Sequence, residues 1–434
     1  MSKFSSSEEA ISSDLLLWST KNTQTGIKDV RQVDYFPINS FSNSDTINFD
    51  LQGLPNAMVK NIQIITSLKV VKKNDDILSK DDNISVVSNF AQSLWKLVDI
   101  VLNSRVSIMS PMHQSYNLES FFNIVLNEDS NRKDKLFNDQ LFLLDDAKSK
   151  EDSESCIFTG DNIVNPSAVE RAGRIAYSKM ITLISDLNCS LFKQRKLLPT
   201  NLNIGVSLTK NDPDYFLLHD GKNHFKVVIE KVFLRVTYVH PEDFVLSIIE
   251  EKLKISPAIY ECNRTEISTF GVPLGVTSHM FNNIYRGIMP SFVVFALQDR
   301  DAMSGASNKN PFTFHRFESA QIYLNNREFY PEPLSSTSKN DQTLMFNNFY
   351  KAIGNGIKGD SLINPDNYQT HYMLPVPLSR DQTVKFHYNI QEEFDFKIKF
   401  TFDKETDKNL ILIVYSIYDR LVKIDSLRNI ELVG

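Results

Sequence analysis

One segment near the C-terminus limits the fold more than any other part of this sequence. In residues 393–403, EFDFKIKFTFD, five apolar residues alternate strictly with polar ones. A period of two places these two sets on opposite faces of a β-strand, because successive side chains of a strand point to opposite sides. The segment therefore predicts a strand with its phenylalanine face in a core and its lysine face in water, which is typical of an antiparallel sheet.

Strand patterns recur along both halves of the chain. β-branched and aromatic runs bounded by turn-forming residues predict strands at 30–38, 46–51, 59–71, 180–187, 202–208, 224–238, 266–272, 291–297, 320–326, 373–378 and 410–417. The mixed segment 86–103 predicts a short helix followed by a strand that ends at Asn103, and further short helices are predicted at 118–126 and 241–253, but strands and helices do not alternate as a parallel sheet requires. Phe occurs 30 times and Tyr 15 times against 14 Gly, which favours pleated surfaces. The sequence predicts an all-β chain of two consecutive antiparallel β-sandwiches with short helices inserted in loops.

Length, turn clusters and charge predict how the two sandwiches divide the chain. A chain of 434 residues suits two large all-β units. The Ser-rich residues 1–27 predict an N-terminal arm, residues 28–212 a first sandwich, and residues 213–434 a second sandwich with a C-terminal tail. Residues 128–155 are rich in acids and show little apolar periodicity, so we expect an acidic surface insertion in the first sandwich.

Charge and targeting signals exclude several functional classes. A net charge of −6 argues against a protein whose main task is to neutralise nucleic-acid phosphates. The first residues, MSKFSSSEEA, lack the basic and then apolar stretch of a signal peptide, and no run approaches the roughly 18 apolar residues of a membrane span. We expect a protein made inside the cell, without secretion through a signal peptide and without a membrane span. Cys156, Cys189 and Cys262 are too few and too scattered for a disulfide framework or a closed zinc site, so free thiols are expected.

Two strings resemble parts of enzyme sites but lack the necessary context. Residues 354–359, GNGIKG, match a dinucleotide-binding glycine pattern, yet a helical pattern precedes them and a loop pattern comes after them. Asp299 and Asp301 form a carboxylate pair of the kind that acid–base or metal chemistry uses. Arg300 lies between them and a loop-like stretch comes next, so we interpret the pair as a solvated strand end or turn.

The histidines do not form a metal site in the sequence. His219 and His224 flank a turn, and His240 precedes two acids, but neither group offers three ligands at a known metal spacing. No nucleophile-elbow, zinc-protease or paired-cysteine motif occurs. We therefore predict no catalytic, cofactor-binding or metal-binding residues, no cofactor, and a protein that is not an enzyme.

Several strings, spread in order along the chain, resemble those of one protein family. They are NTQTGI, DYFPIN, LVDIVLNSRVSI, SYNLESFFNIVLN, FKVVIEKVFLRVTYVHP, ALQDRDAMSGASNKNPFTFHRF, IYLNNREFYPEPL and IVYSIYDRLVKIDSLRNI. The most specific segment is 293–333, with Asp299, Gly305, the turn 310–312 and Tyr323 at characteristic places. The chain resembles the major capsid proteins of Polinton or Maverick elements and of adintoviruses, in the double jelly-roll lineage that includes adenovirus hexon.

The resemblance implies a structural role. Each predicted sandwich would be an eight-stranded jelly roll, and three copies would form a pseudo-hexameric homotrimer that tiles the icosahedral shell of a double-stranded DNA virus or virus-like element. The implied partners are further copies of the chain together with penton and minor capsid proteins, without direct sequence-specific binding of nucleic acid, and the implied location is the virion. The acidic insertion would lie on the exposed top of the shell, and the N-terminal arm would become ordered against neighbours.

Other functions remain open on the sequence alone. A minor capsid protein built on a single jelly roll needs only about half of this length. A non-viral tandem β-sandwich that binds carbohydrate is expected to show a signal peptide or disulfides, and neither is visible. A hydrolase on a β scaffold needs a convergent acid–base or metal site, which the sequence does not offer.

Overall fold

The structure of the chain is a computed structural model. It describes residues 17, 20–40, 44–80, 82–109, 115–146, 158–159, 162–163, 165–221, 224–285, 287–303, 309–335, 342–354, 360–379, 388 and 392–434. Most of the predicted N-terminal arm (1–27), part of the predicted acidic insertion (147–155), Gly305 and residues 355–359 of the glycine motif lie outside the described residues.

Strands dominate the described residues. In chain order they are β1 (Ile27–Tyr35), β2 (Thr46–Leu51), β3 (Met58–Lys72), β4 (Ile84–Val86), β5 (Trp95–Leu102), β6 (Val106–Ser107), β7 (Phe158–Thr159), β8 (Asn162–Ile163), β9 (Ile181–Asp186), β10 (Ile204–Lys210), β11 (Leu217–His219), β12 (Phe225–Pro241), β13 (Ala258–Val272), β14 (Ser278–Asn282), β15 (Phe292–Asp299), β16 (Ser319–Leu324), β17 (Arg327–Glu328), β18 (Leu334–Ser335), β19 (Met373–Pro377), β20 (Phe396–Thr401), β21 (Leu410–Ile424) and β22 (Ile430–Val433).

The helices are short and lie between strands. They are α1 (Phe90–Ser93), α2 (Tyr116–Asn127), α3 (Lys133–Gln140), α4 (Pro166–Ile175), α5 (Ser190–Lys193), α6 (Pro213–Phe216), α7 (Asp243–Ile255), α8 (Arg300–Met303) and α9 (Thr343–Gly354). The short helix predicted within 86–103 and the helices predicted at 118–126 and 241–253 correspond to α1, α2 and α7. No helix among the described residues is long and apolar enough to cross a membrane.

The first sandwich consists of two four-stranded antiparallel sheets. One sheet has the strand order β1-β12-β3-β9 and the other β2-β10-β5-β6. Apart from β5 and β6, which pair in one sheet, successive strands of these two sheets alternate between them, and the last long strand, β12, returns to lie between β1 and β3. Buried residues of both sheets, among them Phe49, Ile64, Ile100 and Val236, belong to one apolar core.

The second sandwich repeats the same topology with different residues. Its sheets have the orders β13-β21-β15-β19 and β14-β20-β16-β17, with β22 added beside β21 and β18 beside β16. Each of the eight main strands occupies the place of its counterpart in the first sandwich. The duplication that the sequence does not show as a repeat is present in the topology.

The alternating segment forms β20, and its inner face is buried as predicted. Phe396, Ile398 and Phe400 are fully buried, whereas Lys399 is exposed. The Phe396 ring stacks on Phe295 of the opposite sheet at 5.7 Å between centroids. The strand begins at Phe396 rather than at the start of the alternating segment.

Strand pairing contradicts the boundary predicted at residues 212/213. β12 (Phe225–Pro241) lies after that boundary in the sequence, yet it pairs along its length with β1 and β3 of the first sandwich. The sequence pattern of β12 and the turn cluster before it are compatible with a strand of either sandwich, because a strand pattern does not specify which strand it pairs with. The sheets divide at α7 (Asp243–Ile255), which connects β12 to β13.

The predicted acidic surface insertion, 128–155, is wrong in its central part. Within α3, Leu136 and Phe137 are buried, and residues 141–144 and Asp145 are buried as well. The acids dominate the composition of this segment, but its few apolar side chains are enough to hold it against the core. Burial of these side chains outweighs the average polarity of the segment.

The tight turn between β5 and β6 passes through Asn103 and Ser104. Both residues have a left-handed φ, 50° and 55°. Three residues, 103–105, separate the paired Leu102 and Val106. Two successive positive φ values in this turn match the right-handed twist of the flanking strands, and Asn tolerates this conformation better than most residues. The Asn103 side chain also donates a hydrogen bond to the Arg428 carbonyl oxygen at 2.7 Å, which connects this turn to the second sandwich.

We predict that Phe400→Ala lowers the free energy of unfolding by about 3–5 kcal/mol, because a fully buried ring is replaced by a cavity. The neighbouring control Lys399→Ala is expected to change it by no more than about 0.5 kcal/mol. Urea unfolding followed by tryptophan fluorescence measures both values. Equal destabilisation by the two substitutions would contradict the assignment of the two faces of β20.

Candidate functional site

The carboxylate pair noted in the sequence is engaged in a structural contact. Lys309 Nζ lies 2.5 Å from Asp299 Oδ2 and 3.5 Å from Asp301 Oδ2. Burial raises the pKa of Asp299, but hydrogen bonds from Lys309 and from the Asp301 backbone outweigh it and hold this pKa below its ordinary value. A low-pKa carboxylate bound to lysine fixes the end of β15 and is poorly suited to act as a general acid.

The histidines noted in the sequence remain separate from any metal-binding group. The His219 and His224 rings lie 6.2 Å apart, and His219 Nδ1 accepts a hydrogen bond from the Gly221 backbone N–H. His240 Nδ1 lies 3.1 Å from the Asn56 carbonyl oxygen. Within the described ranges no group of three His, Cys, Asp or Glu side chains is placed to hold a metal ion. Gly354 ends α9, and the rest of the glycine motif lies outside those ranges.

A buried ion pair lies where the two sandwiches meet. Arg171 of α4 and Asp145 are completely buried, with Nη2 2.6 Å from Oδ1. Arg171 also donates to the carbonyl oxygens of Val86 and Leu143 at 2.7 and 2.6 Å. The arginine thus has an acceptor at each of its three nitrogens, which is the condition under which a buried charge is tolerated.

The second sandwich contributes directly to this ion pair. Asn310 Nδ2 donates to the other Asp145 oxygen, Oδ2, at 2.6 Å and to Ser88 Oγ at 2.7 Å. Thr370 Oγ1 donates to the Asp145 backbone carbonyl oxygen at 2.9 Å. Asn310 opens the Asn-Pro-Phe turn that the sequence singled out, so this turn attaches the second sandwich to the buried charge of the first.

Aromatic rings of α2 pack between the sandwiches beside the ion pair. Phe121 stacks on Phe312 of the same turn at 4.7 Å between centroids. Phe122 stacks on Phe314 at 5.7 Å and on Tyr415 of β21 at 5.1 Å. Offset and edge contacts between buried rings add to the apolar area that they remove from water. The helix therefore joins the cores of the two sandwiches into one apolar cluster.

Glu119, on the same helix, is a buried acid at the junction. Burial is the main cause that raises the pKa of Glu119 to about 8; a hydrogen bond with the Thr265 side chain acts in the opposite direction, and the nearby Glu266 adds to the rise. Thr265 and Glu266 belong to β13 of the second sandwich. The carboxyl group is therefore largely protonated at neutral pH and connects α2 to β13.

Sequence reasoning missed the residues of the junction. Asp145 lay inside the predicted acidic insertion, and Arg171 lies on α4, a helix that was not predicted. Local signals for α4 are present, because Pro166 occupies its first turn and Asn165 Oδ1 accepts a hydrogen bond from the Ala168 N–H. The pairing of Asp145 with Arg171 has no local signal, since 26 residues separate them.

Large apolar side chains are exposed on the single chain. Along α7, Phe244, Ile248 and Ile255 are 57%, 49% and 86% exposed and share one face of the helix. On β1, an edge strand, Val30 is exposed as well. Exposed large apolar side chains grouped on one element are typical of surfaces that contact other molecules.

Solved structures that this chain resembles include a virophage particle and viral major capsid proteins. The cryo-EM structure of the Sputnik virophage matches with a TM-score of 0.65 at 11% identity, over 98% of this chain and 93% of that chain. The mavirus major capsid protein matches with a TM-score of 0.56 at 12% identity, over 100% and 96%. The fold is a double jelly roll.

Further double jelly-roll matches agree with this assignment. The Faustovirus major capsid protein has a TM-score of 0.56 at 7% identity, over 94% of this chain and 92% of that chain. The predicted fold class, two consecutive eight-stranded antiparallel jelly rolls, is confirmed. No protein-family model and no curated protein matches the chain.

We predict that Asp145→Asn destabilises the double jelly roll by about 3–5 kcal/mol, because it leaves the Arg171 charge buried without its carboxylate. The control is Asp139→Asn, which removes the acid of the exposed Lys135–Asp139 pair on α3 and is expected to cost at most about 0.5 kcal/mol. Chemical unfolding measures both. A cost below about 1 kcal/mol for Asp145→Asn would show that the ion pair does not hold the junction.

We predict that ionisation of Glu119 makes stability depend on pH. The folded-state pKa, about 8, lies above the ordinary value of 4.5, so the folded protein holds a proton that the unfolded chain releases between these two values. The contribution of Glu119 to the free energy of unfolding therefore decreases as the pH rises from about 4.5 to about 8. Glu119→Gln, which is neutral at every pH, abolishes this contribution.

The measurement is the difference in Tm between Glu119→Gln and the unsubstituted chain at about pH 5.5, 7 and 8.5, which brackets the folded-state pKa. We expect this difference to shift in favour of the variant as the pH rises. The matched control is Glu251→Gln, whose side chain is exposed on α7. A difference that is the same at all three pH values would contradict the buried, protonated state of Glu119.

Proposed function

We propose that this protein is a major capsid protein whose copies form pseudo-hexameric homotrimers, and that these trimers tile the icosahedral shell of a double-stranded DNA virus or virus-like element. The observation that carries the proposal is the match over nearly the full length of both chains to structures of virus capsids, with two complete jelly rolls in the order that the strand pairing gives. A fold shared over the whole chain leaves little room for a separate functional domain.

The geometry of the junction suits this role. Two jelly rolls held rigidly together give each chain two similar lobes, so that three chains present six lobes in a ring. Rigidity is provided by the buried Asp145–Arg171 pair and by the rings of α2 between the cores. A shell subunit needs such a fixed shape, since many copies must meet at the same angles.

A structural role also agrees with the state of the polar residues. Asp299 and Asp301 are held by Lys309, and Asp145 is held by Arg171 and Asn310. Each of these carboxylates has a partner that stabilises the fold. We therefore propose that the protein is not an enzyme and that it works through its shape and its contacts.

We propose that the capsid belongs to the Polinton, Maverick or adintovirus lineage. Support comes from the sequence strings that resemble this family. One of them contains the Asn310–Phe312 turn, which contacts Asp145 and Phe121 at the junction. We further propose two jelly rolls at 27–241 and 258–434, with α7 between them and residues 1–26 as an arm, since Ile27 already pairs with Pro241. Their partners in the virion would be other copies, penton and minor capsid proteins, without direct sequence-specific binding of nucleic acid.

Exposed apolar residues support self-association over the alternatives. Phe244, Ile248 and Ile255 of α7 would be removed from water in an assembly of chains. A minor capsid protein built on a single jelly roll does not use two joined units. A tandem carbohydrate-binding module remains the second alternative, and it predicts a monomer that binds sugars.

The test is the molar mass of the purified full-length protein, measured by size-exclusion chromatography with light scattering over about 1 to 50 µM. A trimer with a large apolar interface does not dissociate in this concentration range. We expect a species of three times the mass of one chain, stable on dilution and at high salt, because burial of apolar area is little affected by salt screening. Negative-stain images should show a hexagonal outline. A monomer at all concentrations, together with binding on a glycan array, would overturn the capsid assignment in favour of the carbohydrate-binding module.

A further inference from the structure

A cleft with a volume of about 690 Å³ lies between the two jelly rolls. The first jelly roll lines it with residues of α2 and with the segment 188–196, and the second jelly roll lines it with residues of β13 and β21. The cleft is therefore closed by the packing of one unit against the other. Its lining includes five cationic side chains from both units, those of Lys193, Arg195, Lys196, Arg264 and Arg420.

Arg420 is a buried cation without a carboxylate partner among the described residues. The residue is only 8% exposed. Its Nη2 donates to the Ile108 carbonyl oxygen at 2.6 Å and lies 3.8 Å from Cys262 Sγ, which are both uncharged partners. Its Nε is enclosed and has no hydrogen-bond partner in the described part of the chain. A buried guanidinium in this state is unfavourable, unlike Arg171, whose charge is matched by Asp145.

Lys193 and Arg264 are two of the four other cations that line the cleft. Lys193 Nζ donates to Asn123 Oδ1 at 2.7 Å and to Asn188 Oδ1 at 2.9 Å, again uncharged acceptors. Arg264 Nη2 lies 3.5 Å from Glu266, but its Nε is enclosed and has no acceptor within the ranges that the structure describes. Two arginines with enclosed, unmatched Nε–H groups thus line one cavity.

None of the acids that line the cleft forms an ion pair with Arg420 among the described residues. Glu119 is largely protonated at neutral pH, because burial raises its pKa to about 8. Glu128 is bound to Arg132. Glu261 and Asp419 also line the cleft, but within the described residues neither forms an ion pair with Arg420. The balance of charge at Arg420 is therefore positive.

We propose that this cleft binds a small oxyanion of the phosphate class between the two jelly rolls, with Arg420 as its central ligand and Lys193 and Arg264 as further donors. Guanidinium N–H groups and an ammonium group are the donors that match tetrahedral oxyanions best. The anion would compensate the Arg420 charge and contact both jelly rolls, so that it stabilises their packing. This site goes beyond the proposed capsid role and does not depend on it.

The test is thermal unfolding of the full-length protein in sodium phosphate, in sodium acetate and in sodium chloride at equal ionic strength and neutral pH. A ligand that binds the folded state raises Tm in a saturable way. We expect phosphate to raise Tm by at least about 2 °C relative to chloride. Isothermal titration calorimetry with phosphate should give a stoichiometry of one per chain.

Variants locate the site. Arg420→Gln should abolish the phosphate-dependent rise in Tm, and Lys193→Gln, at a more exposed position, should weaken phosphate binding by about threefold or more, even if Arg420→Gln fails to fold. The control is Lys399→Gln on the outer face of β20, which should retain the full effect. The proposal is overturned if phosphate and chloride give the same Tm, if acetate acts as strongly as phosphate, or if Lys193→Gln binds phosphate as the unsubstituted chain does. These outcomes are independent of the mass measurement that tests the capsid role.

Discussion

The contact on which the rest of this structure depends is the completely buried ion pair between Asp145 and Arg171. Its energy as an isolated pair is modest, because both groups lose their hydration. Its importance lies in the oxygen that Arg171 leaves available, since Asp145 Oδ2 accepts a hydrogen bond from Asn310 of the second jelly roll. A buried carboxylate requires well-placed donors on both sides, so the second jelly roll has one favourable position against the first. The polar contacts at Asp145 thus define the orientation of the two jelly rolls, whereas burial of apolar surface supplies most of the free energy that holds them together.

Helix α2 uses this orientation to join the two cores. Phe121 and Phe122 reach aromatic rings of the second jelly roll on one side of the helix, and Glu119 meets Thr265 of β13 on another. The same packing encloses the cleft that contains Arg420. Stability, pH dependence and anion binding at this junction are therefore coupled, because each of them depends on how closely the two units pack.

Much of the strand content was predictable, since alternation and turn residues are local signals. The faces of β20, the long strands β3 and β12, and helix α2 all reflect the spacing of apolar residues. The predicted boundary at 212/213 was wrong because β12 pairs with β1, about 200 residues earlier in the chain, and local patterns carry no information on that pairing. The insertion was misjudged for a related reason: Leu136 and Phe137 become buried only because β9 and α4 pack beside α3 in the folded chain. The family resemblance supplied the jelly-roll topology, which periodicity alone did not.

The sequence by itself determined that this chain is built of antiparallel strands with one apolar and one polar face, that there are enough of them for two sandwiches, and that recognised catalytic motifs are missing. These properties depend on neighbours in the chain, which a sequence displays directly. Only the tertiary structure decided that β12 closes the first jelly roll, that Asp145 meets Arg171 and Asn310, and that Arg420 lies in a cleft without a carboxylate bound to it among the described residues. These properties depend on residues brought together from distant parts of the chain. The energies of these contacts depend on how far the groups are removed from water, and only the folded structure determines that.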